Sequence, residues 1–309
     1  MKHLFLCALS ALLVLASCAS NDDNIETQYK HTHLTLSASN HIPKTSRVSL
    51  TEKEDKLEAL WEENDEVSLF NRFSIGQKGT TLTAKMGGKG TILEGAIPTS
   101  KYEEGSKIVV IYPKVDNEYC KMFEQNQIII DPETGLQDHP ILLLDLSKQD
   151  GKLSTIAKKT NFVIGEGSIK SLSSDKATGS IDGMTHLTTT CRFNFLKEWG
   201  EPINNIKRIQ IKNIITQIAV TFDTEKYYWT GDATPWHGGN NPTGKIIIEN
   251  PESNSVYVSL FTGRKETDKY APEFVVETKD GDVYEAKFKS AHLRLSGWYP
   301  EINVRLKKY

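Results

Sequence analysis

Cysteine is scarce in this chain: four among 309 residues, of which Cys7 and Cys18 fall at the N-terminal end. The other two, Cys120 and Cys191, are too few and too far apart for a fold held by a disulfide framework. They can pair in an exported protein or stay free. Cys191 shares a strand face with Phe193 and Phe195, where a thiol behaves as a small apolar group. No apolar run reaches the ~20 residues that cross a bilayer. An excess of positive charge is also missing. Lys and Arg number 37 against 40 Asp and Glu, a net charge of −3, so nothing draws in a nucleic acid. Catalytic signatures are lacking as well. There is no Gly-x-Ser-x-Gly elbow, since Gly165-Glu166-Gly167-Ser168 has the wrong order, and no His-Glu-x-x-His, Cys-x-x-Cys or phosphate loop. His31 and His33 point the same way on a strand but read as solvated. Asp131, Glu133, Asp138 and His139 do not follow a calcium-loop spacing, and Glu62 with Glu63 lies in an exposed charged segment without the burial that raises a pKa. No enzyme activity, cofactor or metal is expected, short of a constellation assembled only in space.

What is present starts at the N-terminus. Met1-Lys2-His3 is a basic tip and Leu4 to Val14 an apolar segment broken only by Ser10, the form of a secretory signal. Leu15-Ala16-Ser17-Cys18 resembles the lipobox of bacterial lipoproteins, which implies cleavage before Cys18 and acylation of its thiol and new amine. At ~0.8 kcal/mol per buried methylene, two or three long chains anchor a protein durably. Ala19-Ser20-Asn21-Asp22-Asp23-Asn24 then resembles the acidic tether that carries lipoproteins of gut and oral anaerobes to the outer face of the outer membrane.

The rest of the chain alternates. His33–Ser37, Val67–Phe70, Lys107–Pro113, Gln127–Ile130, Ile209–Ile211, Ile218–Phe222, Ile246–Ile248, Val256–Leu260, Phe274–Val276 and Ile302–Leu306 are short β-branched or period-two runs that read as strands. Turn chemistry separates them at Gly87-Gly88, Asp131-Pro132, Asn204-Asn205, Asp280-Gly281 and Ser296-Gly297; Asp280-Gly281 suits a type I′ hairpin. Leu57, Leu60 and Trp61 have helical spacing and predict a turn or two of helix. Many short strands at close spacing predict an all-β protein of antiparallel sandwiches. Apolar residues thin out between Ser168 and Asp182, which places a domain boundary there. The expected organisation is a signal peptide over 1–17, a lipidated tether with a removable leader strand over 18–45, and two sandwiches over 46–182 and 183–309.

Several short motifs converge on one family. Thr45-Ser46-Arg47, Trp61-Glu62-Glu63-Asn64-Asp65-Glu66-Val67, Leu93-Glu94-Gly95 and Val109-Val110-Ile111-Tyr112-Pro113 resemble the N-terminal half of fimbrillin-like (Mfa-like) surface lipoproteins. Met184-Thr185-His186-Leu187 and Gly297-Trp298-Tyr299-Pro300-Glu301-Ile302-Asn303-Val304 resemble the second half. Two positions depart from the pattern. Asn64 stands where the family has glycine, and is the next-best residue for a positive φ. Pro300 is tolerable at the first residue or edge of a last strand. The resemblance implies two tandem transthyretin-like sandwiches in a fimbrial shaft, anchor or tip subunit at the cell outer membrane, with other fimbrial subunits as partners. It also implies proteolytic processing between Arg47 and Val48, release of a first strand, and strand addition into the vacated groove. Ile302, Val304 and Leu306 form the apolar face of a closing strand that either completes its own sheet or is donated to a neighbour.

One loop invites a different class of function. Tyr228, Trp229, Trp236 and His237, with Asn240 and Asn241 beside them, supply aromatic faces and hydrogen-bonding groups of the kind a sugar platform uses. The alternative reading is therefore a surface glycan-binding lipoprotein, with a host protein or glycan as partner. Long hairpins also fold aromatics back onto their own sheet edge, which needs no ligand.

Overall fold

The strands follow from alternation where one face is covered and from unbroken apolar runs where both are. A computed structural model describes residues 30–38, 49–53, 56–71, 79–115, 118–122, 129–130, 137–138, 140–223, 228–229, 234–235, 244–261, 271–288 and 301–309. Its first strands are β1 (His31–Ala38), β2 (Ser49–Lys53), β3 (Lys56–Leu60), β4 (Glu66–Asn71), β5 (Thr80–Ala84), β6 (Thr91–Pro98), β7 (Lys107–Tyr112), β8 (Cys120–Met122), β9 (Ile129–Ile130), β10 (Gln137–Asp138), β11 (Pro140–Asp145), β12 (Val163–Leu172) and β13 (Lys176–His186). There follow β14 (Thr188–Lys197), β15 (Ile206–Ile214), β16 (Gln217–Asp223), β17 (Tyr228–Trp229), β18 (Thr234–Pro235), β19 (Gly244–Glu249), β20 (Ser255–Phe261), β21 (Glu273–Thr278), β22 (Val283–Lys287) and β23 (Glu301–Lys308). The protein is all-β, and His31–Tyr309 forms one compact unit.

Seven strands close a barrel in the order β1-β13-β12-β7-β4-β5-β6, with β6 returning to β1. Closure removes the free edges that would otherwise pair with another chain. Leu34, Leu36, Val67, Leu69, Leu82, Leu93, Ile97, Ile108 and Val110 fill its interior. A second core lies on the outer face of β4, β7 and β12, where Phe70, Val109, Ile111 and Ile164 meet Leu142, Leu144, Ile215, Ile218 and Phe261. Because β7 is covered on both faces, its sequence is a continuous apolar run, Ile108 to Tyr112, instead of an alternating one. Strand β11 pairs with β16, so this layer joins the earlier and later parts of the chain. A further sheet has seven strands, β19-β15-β21-β22-β23-β14-β20. Phe193 of β14 and Phe274 of β21 are separated by two strands in that order, yet their ring centroids lie 5.2 Å apart. The sheet therefore curls until its two parts face each other across a third core.

Two expectations, a helical turn before Trp61 and a type I′ turn at Asp280-Gly281, are corrected. Lys56–Leu60 is strand β3, hydrogen-bonded in register to β2, and not a helical turn; pairing with a neighbouring strand overrides the spacing of Leu57, Leu60 and Trp61. The polar stretch Ser168–Asp182 forms part of the β12–β13 hairpin. Its small residues permit close strand approach: a Cβ on Gly179 would strike the Ser168 carbonyl oxygen and lie 2.7 Å from Leu36 Cδ2. The turn at Asp280-Gly281 is a three-residue loop in which Gly281 alone has positive φ (90°), with Gly281 N–H donating to the Thr278 carbonyl and Thr278 N–H to that of Asp282. That is a type I turn with a glycine bulge, not type I′. The sheets also contain two parallel pairs, β1 with β13 and β14 with β23. Cys120 and Cys191 form no disulfide and are buried in different cores.

Candidate strand-exchange site

Strand β1 occupies a slot between β6 and β13. Its sequence, HTHLTLSA, alternates, and so does its burial: Thr32, Leu34, Leu36 and Ala38 face inward, while His31, His33 and Ser37 are exposed. It pairs antiparallel with β6 from His31↔Pro98 to Ala38↔Thr91 and parallel with β13 from His33↔Lys176 to Ala38↔Ile181. The slot is cut to fit. Leu34 lies opposite Gly95 and Ala177, and Leu36 opposite Leu93 and Gly179, so each large inward side chain of β1 has a small residue on at least one flank. A one-residue slip would put His33 and Thr35 into the core and drive side chains against Gly179. Burying each of the two leucines contributes roughly 1.5–3 kcal/mol.

Polar contacts set where the strand begins. Thr32 is fully buried, and its Oγ1 lies 2.5 Å from Thr99 Oγ1 and 3.3 Å from the carbonyl oxygens of Ser173 and Ser174. Its hydroxyl thus ties β1 both to the end of β6 and to the β12–β13 turn. On the outer face His33 Nε2 stands 3.6 Å from Glu94 Oε2, an exposed contact of the kind that adds little. Among the described residues no group of three or more His, Cys, Asp and Glu could hold a metal.

The barrel mouth at the start of β4 is shaped by the Trp61–Glu66 turn. Asn64 has φ 71°, as its place in the motif predicts, and its N–H donates to the Ala84 carbonyl. Asp65 Oδ2 accepts the Glu62 N–H at 2.7 Å. An open depression of about 530 Å³ lies there, lined by Glu62, Asp65, Glu66, Tyr112, Lys114 and Lys158 among others. Burial pushes the Asp65 carboxyl up to about 6, against the pull of the Glu62 hydrogen bond. The Tyr112 hydroxyl, raised mainly by burial, donates to the Ala157 carbonyl.

At the other end of the chain, β23 lies between β22 and β14 in its own sheet. Val304 and Leu306 are fully buried and Ile302 packs against the same core. Tyr228 and Trp229 form β17, paired with Asp223 and Phe222 of β16. Cys18, Arg47, Val48, Trp236 and His237 lie outside the described residues, and no described helix is long and apolar enough to cross a membrane. One residue that strand reading passes over is Trp199, an exposed indole in the turn after β14.

No protein-family model matches the sequence, and no curated protein matches it either. Solved structures do resemble the chain. A candidate cell adhesion protein from Bacteroides uniformis is 14% identical, with a TM-score of 0.47 over 90% of this chain and 96% of that one. The fimbrial anchor protein Mfa2 from Porphyromonas gingivalis is 12% identical, with a TM-score of 0.37 over 89% and 90%. A candidate polysaccharide-binding protein from Bacteroides thetaiotaomicron is 10% identical, with a TM-score of 0.37 over 89% and 90%.

Proposed function

We propose that this chain is a non-enzymatic, surface-exported lipoprotein that serves as a structural or accessory subunit of a fimbria at the cell outer membrane and joins other subunits by β-strand addition. One observation carries the reading: the first strand after the acidic tether, β1, closes the barrel between two strands from elsewhere in the chain. The segment between β1 and β2 contains Arg47. A cut after Arg47 would free β1 from the chain that follows it. The slot would then offer two rows of backbone donors and acceptors to an incoming strand, with pockets for every second side chain.

Cys18 is the attachment point in this reading. A subunit that keeps it stays on the membrane and acts as an anchor or accessory, whereas one that begins at Val48 has lost the lipid and can polymerise. Mass spectrometry of the cell-surface form distinguishes these states. An acylated N-terminus at Cys18 or a start at Val48 supports the reading. A mature form with neither, together with failure of palmitate to incorporate, would overturn it.

A further inference from the structure

Strand β14 ends in a tight turn, Lys197-Glu198-Trp199-Gly200-Glu201. Lys197 N–H donates to the Glu201 carbonyl at 2.7 Å, Gly200 N–H donates to that of Lys197 at 2.9 Å, and Gly200 has φ 99°. Trp199 at its tip is 65% exposed. Isolated exposed apolar side chains are common and by themselves mean nothing. This one differs because it is held. The Glu201 carboxylate accepts a hydrogen bond from Lys197 Nζ at 3.2 Å, which holds that ammonium beside the ring. The same ammonium lies 5.4 Å from the indole centroid. The indole is thus restrained by a cation over its ring that Glu201 in turn holds, while most of its surface faces solvent.

The surroundings are charged. Glu198, Glu201 and Arg305 are exposed, and the Arg305 guanidinium flanks the turn, with Nη2 4.0 Å from where a Gly200 Cβ would stand. A protein partner would favour a larger apolar centre around the tryptophan, because interface cores are depleted in charge. A nucleobase could stack, but the net charge of −3 disfavours a polyanion. A pyranose ring fits both features: its apolar C–H face lies on an aromatic ring, and its hydroxyls meet ammonium, carboxylate and guanidinium groups at the rim. Because the indole is already ordered, binding loses little side-chain entropy.

We propose that Trp199, rimmed by Lys197, Glu201 and Arg305, is a carbohydrate-stacking site for a pyranose unit of a glycan. This site does not depend on strand exchange.

The test is a glycan array of neutral and acidic pyranosides probed with the full-length chain in detergent, beside Trp199→Ala, Trp199→Phe and Trp236→Ala. Trp199→Ala is expected to lower binding by about tenfold or more, a change of ~1.4 kcal/mol, because the stacking face is lost. Trp199→Phe should keep a measurable part, and Trp236→Ala should bind as wild type. Trp199 is exposed, so the variants should fold, and equal melting temperatures check this. Wild-type binding that survives Trp199→Ala, loss on Trp236→Ala alone, or no glycan bound by the wild type would each overturn the assignment.

Discussion

Strands β1 and β23 are built alike and held differently. Each alternates, each pairs parallel on one flank and antiparallel on the other, and each buries branched apolar residues. The antiparallel flank of β1 runs from His31 to Ala38. That of β23 is confined to Tyr284↔Lys308 and Glu285↔Lys307, while its parallel flank against β14 covers Arg192↔Glu301 to Lys197↔Leu306. A strand clamped along both sides leaves a complete slot behind it when removed. A strand clamped mainly on one side leaves half of one. Hydrophobicity therefore does not separate acceptor from donor here; the extent of flanking backbone does. In the proposed assembly this makes the β1 slot the acceptor and suits β23, near the opposite end of the chain, to donation.

The largest effect is expected from releasing β1. Cleavage after Arg47 and removal of the leader should destabilise the barrel by roughly 5 kcal/mol or more, from two leucines and the lost ladders. Adding the peptide HTHLTLSA in trans should restore the melting temperature, whereas a version shifted by one residue should not, because every side chain would then face the wrong way. A β1-free chain that melts like the intact one would erase the distinction between the two strands. Single substitutions should give smaller effects that discriminate between the slots. Gly179→Val would push a side chain into Leu36 and the Ser168 carbonyl, with an expected cost of about 1–3 kcal/mol and failure of peptide rescue. Leu306→Ala in β23 should cost about 2–5 kcal/mol by leaving a cavity, yet leave rescue of the β1-free chain intact. Denaturant melts with and without peptide separate the two outcomes.

Much of this architecture is legible in the sequence, and the failures have causes. Alternation finds β1, β21 and β23 because each has one covered face. The positive φ at Asn64 is legible from the motif around it. Parallel pairing is invisible, since alternation is the same whichever way a neighbour runs. The β12–β13 hairpin leaves little strand signal because close strand approach demands small residues such as Gly179, and a run of small residues looks like loop. Strand β3 is missed because a five-residue strand and a helical turn can share the same apolar spacing. Trp199 gives no periodic signal at all. Its restraint arises only when the turn closes and brings Lys197 and Glu201 beside it. The slot itself is half legible: the strand that fills it can be read, but the glycines and alanine that shape it come from β6 and β13, far away in sequence.

The smallest effect sharpens the contrast at the barrel mouth. The folded state holds the Asp65 carboxyl at about 6, above its ordinary 3.8, chiefly because the group is buried. A carboxyl raised in this way binds its proton more tightly folded than unfolded. Its contribution is therefore full below about pH 4 and lost as pH rises through 6. Asp65→Asn removes the titration but keeps an oxygen to accept the Glu62 N–H, so the turn should survive. Melting curves from pH 4 to 8 should show the wild type losing stability relative to Asp65→Asn between pH 4 and 6, and the variant at least as stable above 6. The two curves running parallel through that window would mean that the carboxyl is as well solvated as an unfolded one, and that the barrel mouth is open to water where the structure draws it partly closed.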